Sequence, residues 1–170
     1  MHARRDRPSQ LWPSAIRELL IACGLLPLLS ADLSLSKHDR VVATDASSVG
    51  GAVVAKRDTE LSWTTIISHR WRWTHEHINV PEMRAILLSL VWLVSCRVLH
   101  RCTPLLTDSM VCLGVLNKGR TSSHTLSRVH SVIAALCLAA NIVLQPTHIP
   151  SELNPADGPS RLLVPNHGLF

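Results

Sequence analysis

Two short apolar runs joined through a turn, residues 41–58 (VVATDASSVGGAVVAKRD), constrain the fold more than any other stretch of the sequence. Valine-rich runs bounded by serine and glycine are typical of β-strands, and their close spacing predicts an antiparallel hairpin tightened by Gly50 and Gly51. The segment 61–69 is rich in β-branched residues and predicts a third antiparallel strand. Asp45 stands where the first strand ends. A turn or a bound metal ion would each explain a carboxylate there.

The period of the apolar residues changes after Pro81, a residue favoured at helix starts. Apolar residues then fall at helical spacing, at Met83, Leu87, Leu90, Val94 and Val98. The pattern after this helix predicts a strand at 103–108 and a short helix at 109–117. A second long helix is predicted through Leu126, Val129, Ile133, Leu136 and Ala140. A strand at 141–149 and a short helix or cap within 150–161 complete the prediction. This order predicts an α/β fold: a mixed five-stranded sheet, its first three strands antiparallel, with helices on both faces.

The composition limits the class of protein. Of the 170 residues, 46% are hydrophobic and 17% are charged, a balance typical of one globular domain with a core. The formal net charge of +5 suits a polyanionic partner. Aromatic residues make up only 4%, which disfavours single-strand binders that rely on stacking. The five cysteines are widely spaced without a CxxC pair, so neither a disulfide framework nor a structural zinc site is expected.

Residues 1–39 are interpreted as a lead-in or linker. Their basic start and the apolar stretch 19–31 are similar to a signal peptide, but the region before that stretch is long and contains Pro13 and Glu18. We therefore expect an intracellular protein, in the cytoplasm or nucleus, with secretion as the alternative. The other long apolar run, 85–96, is too short to span a bilayer, so no membrane partner is expected.

Four carboxylates stand at element ends: Asp45, Glu82, Asp108 and Asp157. Taken singly, each is explained by a turn or by the preference of helix N-termini for acidic residues. Taken together, they would meet along one edge of a mixed sheet and repel one another. Hard divalent cations relieve such repulsion, and oxygen-only ligands suit Mg²⁺ or Mn²⁺. Two such ions about 4 Å apart can clamp both oxygens exchanged in phosphodiester hydrolysis.

The blocks that carry these residues resemble the motifs of type 1 ribonuclease H, and specifically of the ribonuclease H-like domain in retrotransposon reverse transcriptase polyproteins. The four blocks are TDASSVGGAVV (44–54), HINVPEMRAILLSL (77–90), LLTDSMVCLGVLNKGRTSS (105–123) and HIPSELNPADGPSR (148–161). They occur in the family's order and cover about residues 40–162, most of the chain, which would form the ribonuclease H-like domain. Residues 1–39 would then include the tail of a lost reverse transcriptase region, and 163–170 would be a C-terminal tail.

The resemblance implies a ribonuclease H-like fold and a two-metal endonuclease that hydrolyses the RNA strand of RNA–DNA hybrids, with Mg²⁺ as cofactor and Mn²⁺ able to substitute. It implies that Asp45 bridges both ions, that Glu82 and Asp108 hold the ion near the leaving 3′-oxygen, and that Asp157 holds the ion that activates water. It also implies a hybrid substrate and a reverse transcriptase domain as partners.

Further residues are candidates for contact with nucleic acid. Ser47 and Asn79 could contact RNA 2′-hydroxyls, or serve as ordinary turn and cap residues. Lys118 and Arg120, in a basic loop, could bind phosphates, or form a solvated helix–helix turn. The family's histidine before the last aspartate is missing from 150–156. His148 is the candidate substitute, the alternative being a polar strand-end residue.

Three alternative interpretations remain open. The first is a catalytically weak or inactive nucleic-acid-binding remnant of a reverse transcriptase polyprotein. The second is another nuclease of the same fold, such as an integrase-like DNA strand transferase, which the early Glu82 and the ADGPSR ending (156–161) disfavour. The third is a secreted protein of another function.

Overall fold

The computed structural model describes residues 10–26, 32, 34–72 and 76–162, and the chain divides into two units between residues 34 and 35. The first unit contains helix α1 (Pro13–Leu25), which has Pro13 at its first position and no buried residue. The predicted tail 163–170 lies outside the described residues. Within the described part of the chain, no helix is both long and apolar enough to cross a membrane.

The second unit contains one five-stranded sheet. Its strands are β1 (Arg40–Ala46), β2 (Gly50–Arg57), β3 (Thr64–Arg70), β4 (Arg101–Thr107) and β5 (Ile142–His148). Its helices are α2 (Asn79–Ser95), α3 (Met110–Lys118), α4 (His124–Ala140) and α5 (Asp157–Ser160), with a 3₁₀ turn at Ser151–Leu153. The strand order is β3-β2-β1-β4-β5. The first three strands are antiparallel, and β4 and β5 run parallel to β1, which confirms the predicted fold class.

The glycines of the β1–β2 hairpin are required by close neighbours. A Cβ on Gly50 would lie 2.5 Å from the backbone oxygen of His69, and a Cβ on Gly51 would lie 2.3 Å from the ring of Trp71. Both distances are shorter than any real carbon contact, so a side chain at either position would push β3 and the residue after it away from β2. The pair therefore allows the third strand to approach, in addition to its predicted role in the turn.

Hydrophobic clusters lie on both faces of the sheet because side chains of a strand alternate between faces. On one face Val42 and Val53 pack with the buried side of α2 and α4. On the other face Ala43, Ala52 and Val54 pack with Ala156, which precedes α5. Helices therefore cover both faces, as predicted.

The buried stripe of helix α2 matches the predicted one only in part: Met83 and Leu90 are fully buried, but Val98 lies beyond the helix, which ends at Ser95. Its fully buried apolar residues are Met83, Ala85, Ile86, Leu90 and Leu93. The predicted positions Leu87 and Val94 are only partly buried, at the margin of the same core. The helix is apolar on more than one side, so periodicity alone could not define the most buried face.

Candidate active site

Asp45 and Asp108 lie on adjacent parallel strands at their carboxyl ends. Asp45 is the next-to-last residue of β1, and Asp108 directly follows Thr107, the last residue of β4. The two strands pair with Val42 opposite Leu105 and Ala43 opposite Leu106. If this register is continued by two residues, Asp45 stands opposite Asp108, and their backbones are separated by about the distance between neighbouring strands.

Glu82 and Asp157 approach the same edge from helix starts. Glu82 lies in the first turn of α2, and Asp157 is the first residue of α5. The charges of Asp108 and Asp157 both act on Asp45, and those of Asp108 and Asp45 both act on Glu82. The structure therefore brings all four predicted carboxylates into one electrostatically coupled group.

The carboxylate of Asp45 is buried, with 8% of the residue exposed. Ser160 Oγ donates a hydrogen bond of 2.5 Å to Asp45 Oδ2. Burial raises the pKa of Asp45, hydrogen bonds from Ser160 and from the Ala46 backbone lower it, and the negative charges of Asp108 and Asp157 raise it further. The net pKa is above the ordinary value, because burial and the neighbouring negative charges outweigh the hydrogen bonds.

The carboxylate of Glu82 is tied to the start of α3. Ser109 Oγ donates to Glu82 Oε2 and accepts a hydrogen bond from the Cys112 backbone N–H at 3.2 Å, so one hydroxyl caps α3 and holds Glu82. Burial raises the pKa of Glu82, the Ser109 bond lowers it, Asp108 and Asp45 raise it, and His77 lowers it. The net shift is again upward.

The other two carboxylates each have one oxygen engaged by a neighbour. Ser151 Oγ donates to Asp108 Oδ2 at 2.6 Å, while Asp108 Oδ1 is buried without a hydrogen-bond partner. Arg161 donates to Asp157 Oδ1 from Nε at 3.0 Å and from Nη2 at 2.8 Å. A buried oxygen without a donor is costly, so Asp108 Oδ1 is suited to an incoming cation.

The donor chemistry of the group fits a hard divalent cation. Its ligands are all carboxylate oxygens, its members repel one another, and one buried oxygen lacks a donor. As the side chains stand, however, no group of three or more His, Cys, Asp or Glu among the described residues is arranged to hold a metal ion. Binding of a cation would therefore require these carboxylate side chains to move closer together.

Ser47 lies in the β1–β2 turn with its hydroxyl fully engaged. It accepts hydrogen bonds from the backbone N–H groups of Val49 and Gly50, both at 3.1 Å, and donates to the Ser160 carbonyl at 2.8 Å. Asn79 is the half-buried first residue of α2, three positions before Glu82. Both residues are near predicted carboxylates, and their contact with RNA stays a prediction.

Lys118 and Arg120 line a groove beside α3. Lys118 ends the helix, Gly119 follows with φ of 66°, and Arg120 begins the loop to α4. The groove has a volume of about 650 Å³ and also contains Met110, the second residue after Asp108. Both cations are exposed, so this groove offers positive charge beside the carboxylate group.

His148 is exposed at the end of β5. It pairs with Thr107 of β4, the residue before Asp108. The strand register therefore places it near the carboxylate edge, and its auxiliary role stays a prediction.

Four hydrogen-bonding side chains of the site were not identified from the sequence: Ser109, Ser151, Ser160 and Arg161. Two of them could have been identified from the sequence. Ser109 directly precedes a predicted helix, where serine is favoured as a cap, and Arg161 follows Asp157 by four residues, the spacing of a helical ion pair. Ser160 contacts Asp45 across 115 positions and Ser151 contacts Asp108 across 43, so only the folded chain identifies them.

A separate cavity of about 400 Å³ lies among Trp71, Leu87, Val129 and their neighbours. None of the four carboxylates lines it. Aliphatic side chains of α2 and α4 line one part of this cavity, and three arginines with His69 and Trp71 line the rest.

Several solved structures with the same arrangement of strands and helices are of proteins named ribonuclease H1. Neither the family models nor the curated proteins compared with the chain gave a match. LC11-RNase H1, isolated from compost by a metagenomic approach and crystallised with an RNA/DNA hybrid, is 20% identical, with a TM-score of 0.54 over 69% of this chain and 91% of that one. RNase H1 from the archaeon Halobacterium salinarum is 17% identical, with a TM-score of 0.51 over 70% and 90%.

A viral polyprotein contains a similar domain. The protease-reverse transcriptase of prototype foamy virus is 13% identical, with a TM-score of 0.53, and the match covers 84% of this chain and 23% of that one. At such identities the likeness concerns the arrangement of the backbone. The chain therefore has the ribonuclease H-like fold.

Proposed function

We propose that this protein is a metal-dependent endonuclease that hydrolyses the RNA strand of RNA–DNA hybrids. The observation that carries the proposal is the meeting of Asp45, Glu82, Asp108 and Asp157, from two strand ends and two helix starts, at one edge of a ribonuclease H-like sheet. Mutually repelling carboxylates destabilise a fold, so their convergence in one place calls for a ligand of opposite charge.

Mg²⁺ is the cation that this oxygen set suits, with Mn²⁺ as a substitute, and the four carboxylates would hold two ions. Bound there, the ions would supply a water of lowered pKa and stabilise the charge that develops on the phosphodiester. Asp45 is central among the four, because both Asp108 and Asp157 act on it. Its burial excludes bulk water from that part of the site.

The hybrid would lie across the carboxylate edge and along the groove beside α3. Lys118 and Arg120 would bind phosphates, which positions the duplex without reading its sequence. Asn79 and Ser47 stand on the Glu82 and Asp45 sides of the site, where contact with 2′-hydroxyls would distinguish RNA from DNA. The domain would belong to a retroelement polyprotein, beside a reverse transcriptase domain, inside the cell.

A nucleic-acid-binding remnant with little turnover is the second candidate. It is favoured by the absence, among the described residues, of three carboxylates already arranged to hold one ion. In a remnant the basic groove would bind hybrid while the carboxylates remained in their hydrogen bonds with serines and Arg161.

The test is cleavage of an end-labelled RNA–DNA hybrid with Mg²⁺ or Mn²⁺, beside duplex DNA and duplex RNA of the same sequence. Wild type should cut only the RNA strand of the hybrid, and Asp45→Asn should lose at least about 100-fold of the rate, as expected for loss of a metal ligand. Asp58→Asn, which changes an exposed turn aspartate, is the matched control. Folded wild type that binds hybrid and cuts none of the substrates would establish the remnant instead, and preference for duplex DNA would indicate a strand transferase.

A further inference from the structure

Helix α5 is fixed to the sheet edge by serine hydroxyls from the neighbouring strands. Ser68 of β3 donates to the Pro159 carbonyl at 2.8 Å, and Ser47 of the hairpin turn donates to the Ser160 carbonyl at 2.8 Å. Gly50 is close enough that a Cβ there would lie 3.1 Å from the Ser160 oxygen. The backbone of Ser160 is therefore held from two sides before its side chain makes any contact.

The side chain of Ser160 contacts the carboxylate at the centre of the site. Its Oγ lies 2.5 Å from Asp45 Oδ2 and 2.8 Å from the Asp157 carbonyl oxygen, and the residue is fully buried. A hydroxyl has a single proton, so it can donate to only one of these oxygens at a time. The shorter contact and the full negative charge both favour Asp45.

We propose that Ser160 is a positioning residue that selects the rotamer of Asp45 and so presents Asp45 Oδ1 to the other carboxylates. Side chains that hydrogen-bond a metal ligand orient it, and their loss typically lowers metal affinity or activity about 10-fold to 100-fold. The consequence for metal binding rests on the function proposed above. The effect of Ser160 on the Asp45 rotamer does not depend on that function, because it is present in the metal-free protein.

The experiment compares wild type with Ser160→Ala and with a matched control, Ser89→Ala. Ser89 is also fully buried, but its hydroxyl donates at 2.7 Å to the Ile86 carbonyl within α2. The first measurement, without metal, is the χ1 rotamer distribution of Asp45 from three-bond NMR couplings. Wild type and Ser89→Ala should show one dominant rotamer, whereas Ser160→Ala should show averaging.

The second measurement is Mn²⁺ binding followed by electron paramagnetic resonance. We expect affinity to fall about 10-fold or more in Ser160→Ala and to stay within about twofold of wild type in Ser89→Ala. If Ser160→Ala does not fold, Ser68→Ala, which loosens α5 through Pro159, should give the same averaging of Asp45 to a smaller degree.

If Asp45 keeps a single rotamer in Ser160→Ala, the proposal is overturned, whether or not the protein is active as a nuclease. The same holds for Ser68→Ala if Ser160→Ala does not fold. Averaging of the rotamer with unchanged Mn²⁺ affinity would overturn its metal-binding half. If wild type binds no Mn²⁺ and cuts no hybrid, the proposed function fails, and the rotamer measurement still decides the role of Ser160.

Discussion

Ser109 joins the cap of one helix to the candidate catalytic residue of another, because its hydroxyl donates to Glu82 of α2 while accepting from the Cys112 N–H of α3. Helix α2 and the start of α3, which follows Asp108, are thereby fixed to each other at the site. Any displacement of α3 would move the donor on which the Glu82 carboxylate depends.

Ser109→Ala should destabilise the protein by about 1–3 kcal/mol, because it removes a helix cap and leaves a partly buried carboxylate without its donor. Ser123→Ala is the control, since Ser123 caps α4 by accepting from Leu126 at 3.4 Å and, among the described residues, its hydroxyl contacts no carboxylate. The measurement is urea denaturation at neutral pH. An equal loss in both variants would show that the bond to Glu82 contributes nothing to stability.

Asp45→Asn should stabilise the metal-free protein at neutral pH. Burial raises the pKa of Asp45 in the folded state above its unfolded value, so the fold favours the protonated form. The stability contributed by Asp45 is therefore full below the unfolded pKa and is lost as pH rises through the folded pKa. The advantage of Asp45→Asn should be largest at pH 7 and should shrink towards pH 4, as measured by thermal unfolding in chelator. A difference that does not change with pH would show that Asp45 is ionised equally in both states.

Mg²⁺ should raise the stability of wild type, by about 2.7 kcal/mol when the free ion is at 100 times its dissociation constant. Asp108→Asn should respond less, because it replaces the oxygen that is buried without a donor. The measurement is chemical denaturation with and without Mg²⁺ at constant ionic strength, with Ca²⁺ as a comparison ion. Equal responses of the two proteins would place the binding of Mg²⁺ away from Asp108.

Arg161→Ala should tighten divalent-ion binding slightly, by about twofold, because an exposed ion pair between residues four apart on a helix is weak. Arg161 binds Asp157 Oδ1 with two nitrogens, so its loss frees that oxygen and removes a positive charge beside the site. Calorimetric titration with Mn²⁺ is the measurement, and Arg57→Ala, which breaks an exposed pair with Asp39, is the control. Weaker binding in Arg161→Ala would mean that the arginine holds Asp157 in place for the ion.

Glycine-to-alanine changes should have opposite signs at two positions. Gly50→Ala should destabilise the protein by about 1–3 kcal/mol, since the new methyl group meets the backbone oxygens of His69 and Ser160. Gly114→Ala, in the interior of α3 with nothing within 4 Å of the new carbon, should stabilise it by about 0.5–1 kcal/mol. Thermal unfolding measures both. A stabilising Gly50→Ala would show that β3 can move away from β2.

The strands and helices of the second unit and the convergence of the four carboxylates could be predicted from the sequence because local signals mark them, whereas helix α1 lies in the segment interpreted as a lead-in. Alternation marks β1 and β2, and acidic residues at helix starts mark Glu82 and Asp157. The serines that hold these carboxylates could not be predicted, because Ser160 and Asp45 meet through tertiary packing alone. Part of the buried face of α2 was also missed, since Leu87 and Ile86 are both strongly apolar and only packing against the sheet decides which of them is fully buried. The functions of Ser47, Asn79, Lys118, Arg120 and His148 depend on a substrate and stay predictions.

The parallel pairing of β1 with β4 also bears on how the molecule folds. Thr44 of β1 reaches the Leu106 carbonyl of β4 across 62 positions of chain, with a hairpin and a long helix in between. Pairings so distant in sequence are entropically expensive and tend to form late. The β1–β2 hairpin, a local structure, should form first with Asp45 already on it. The group of four carboxylates would then be completed only when β4 docks, so the candidate site should form in a late step of folding.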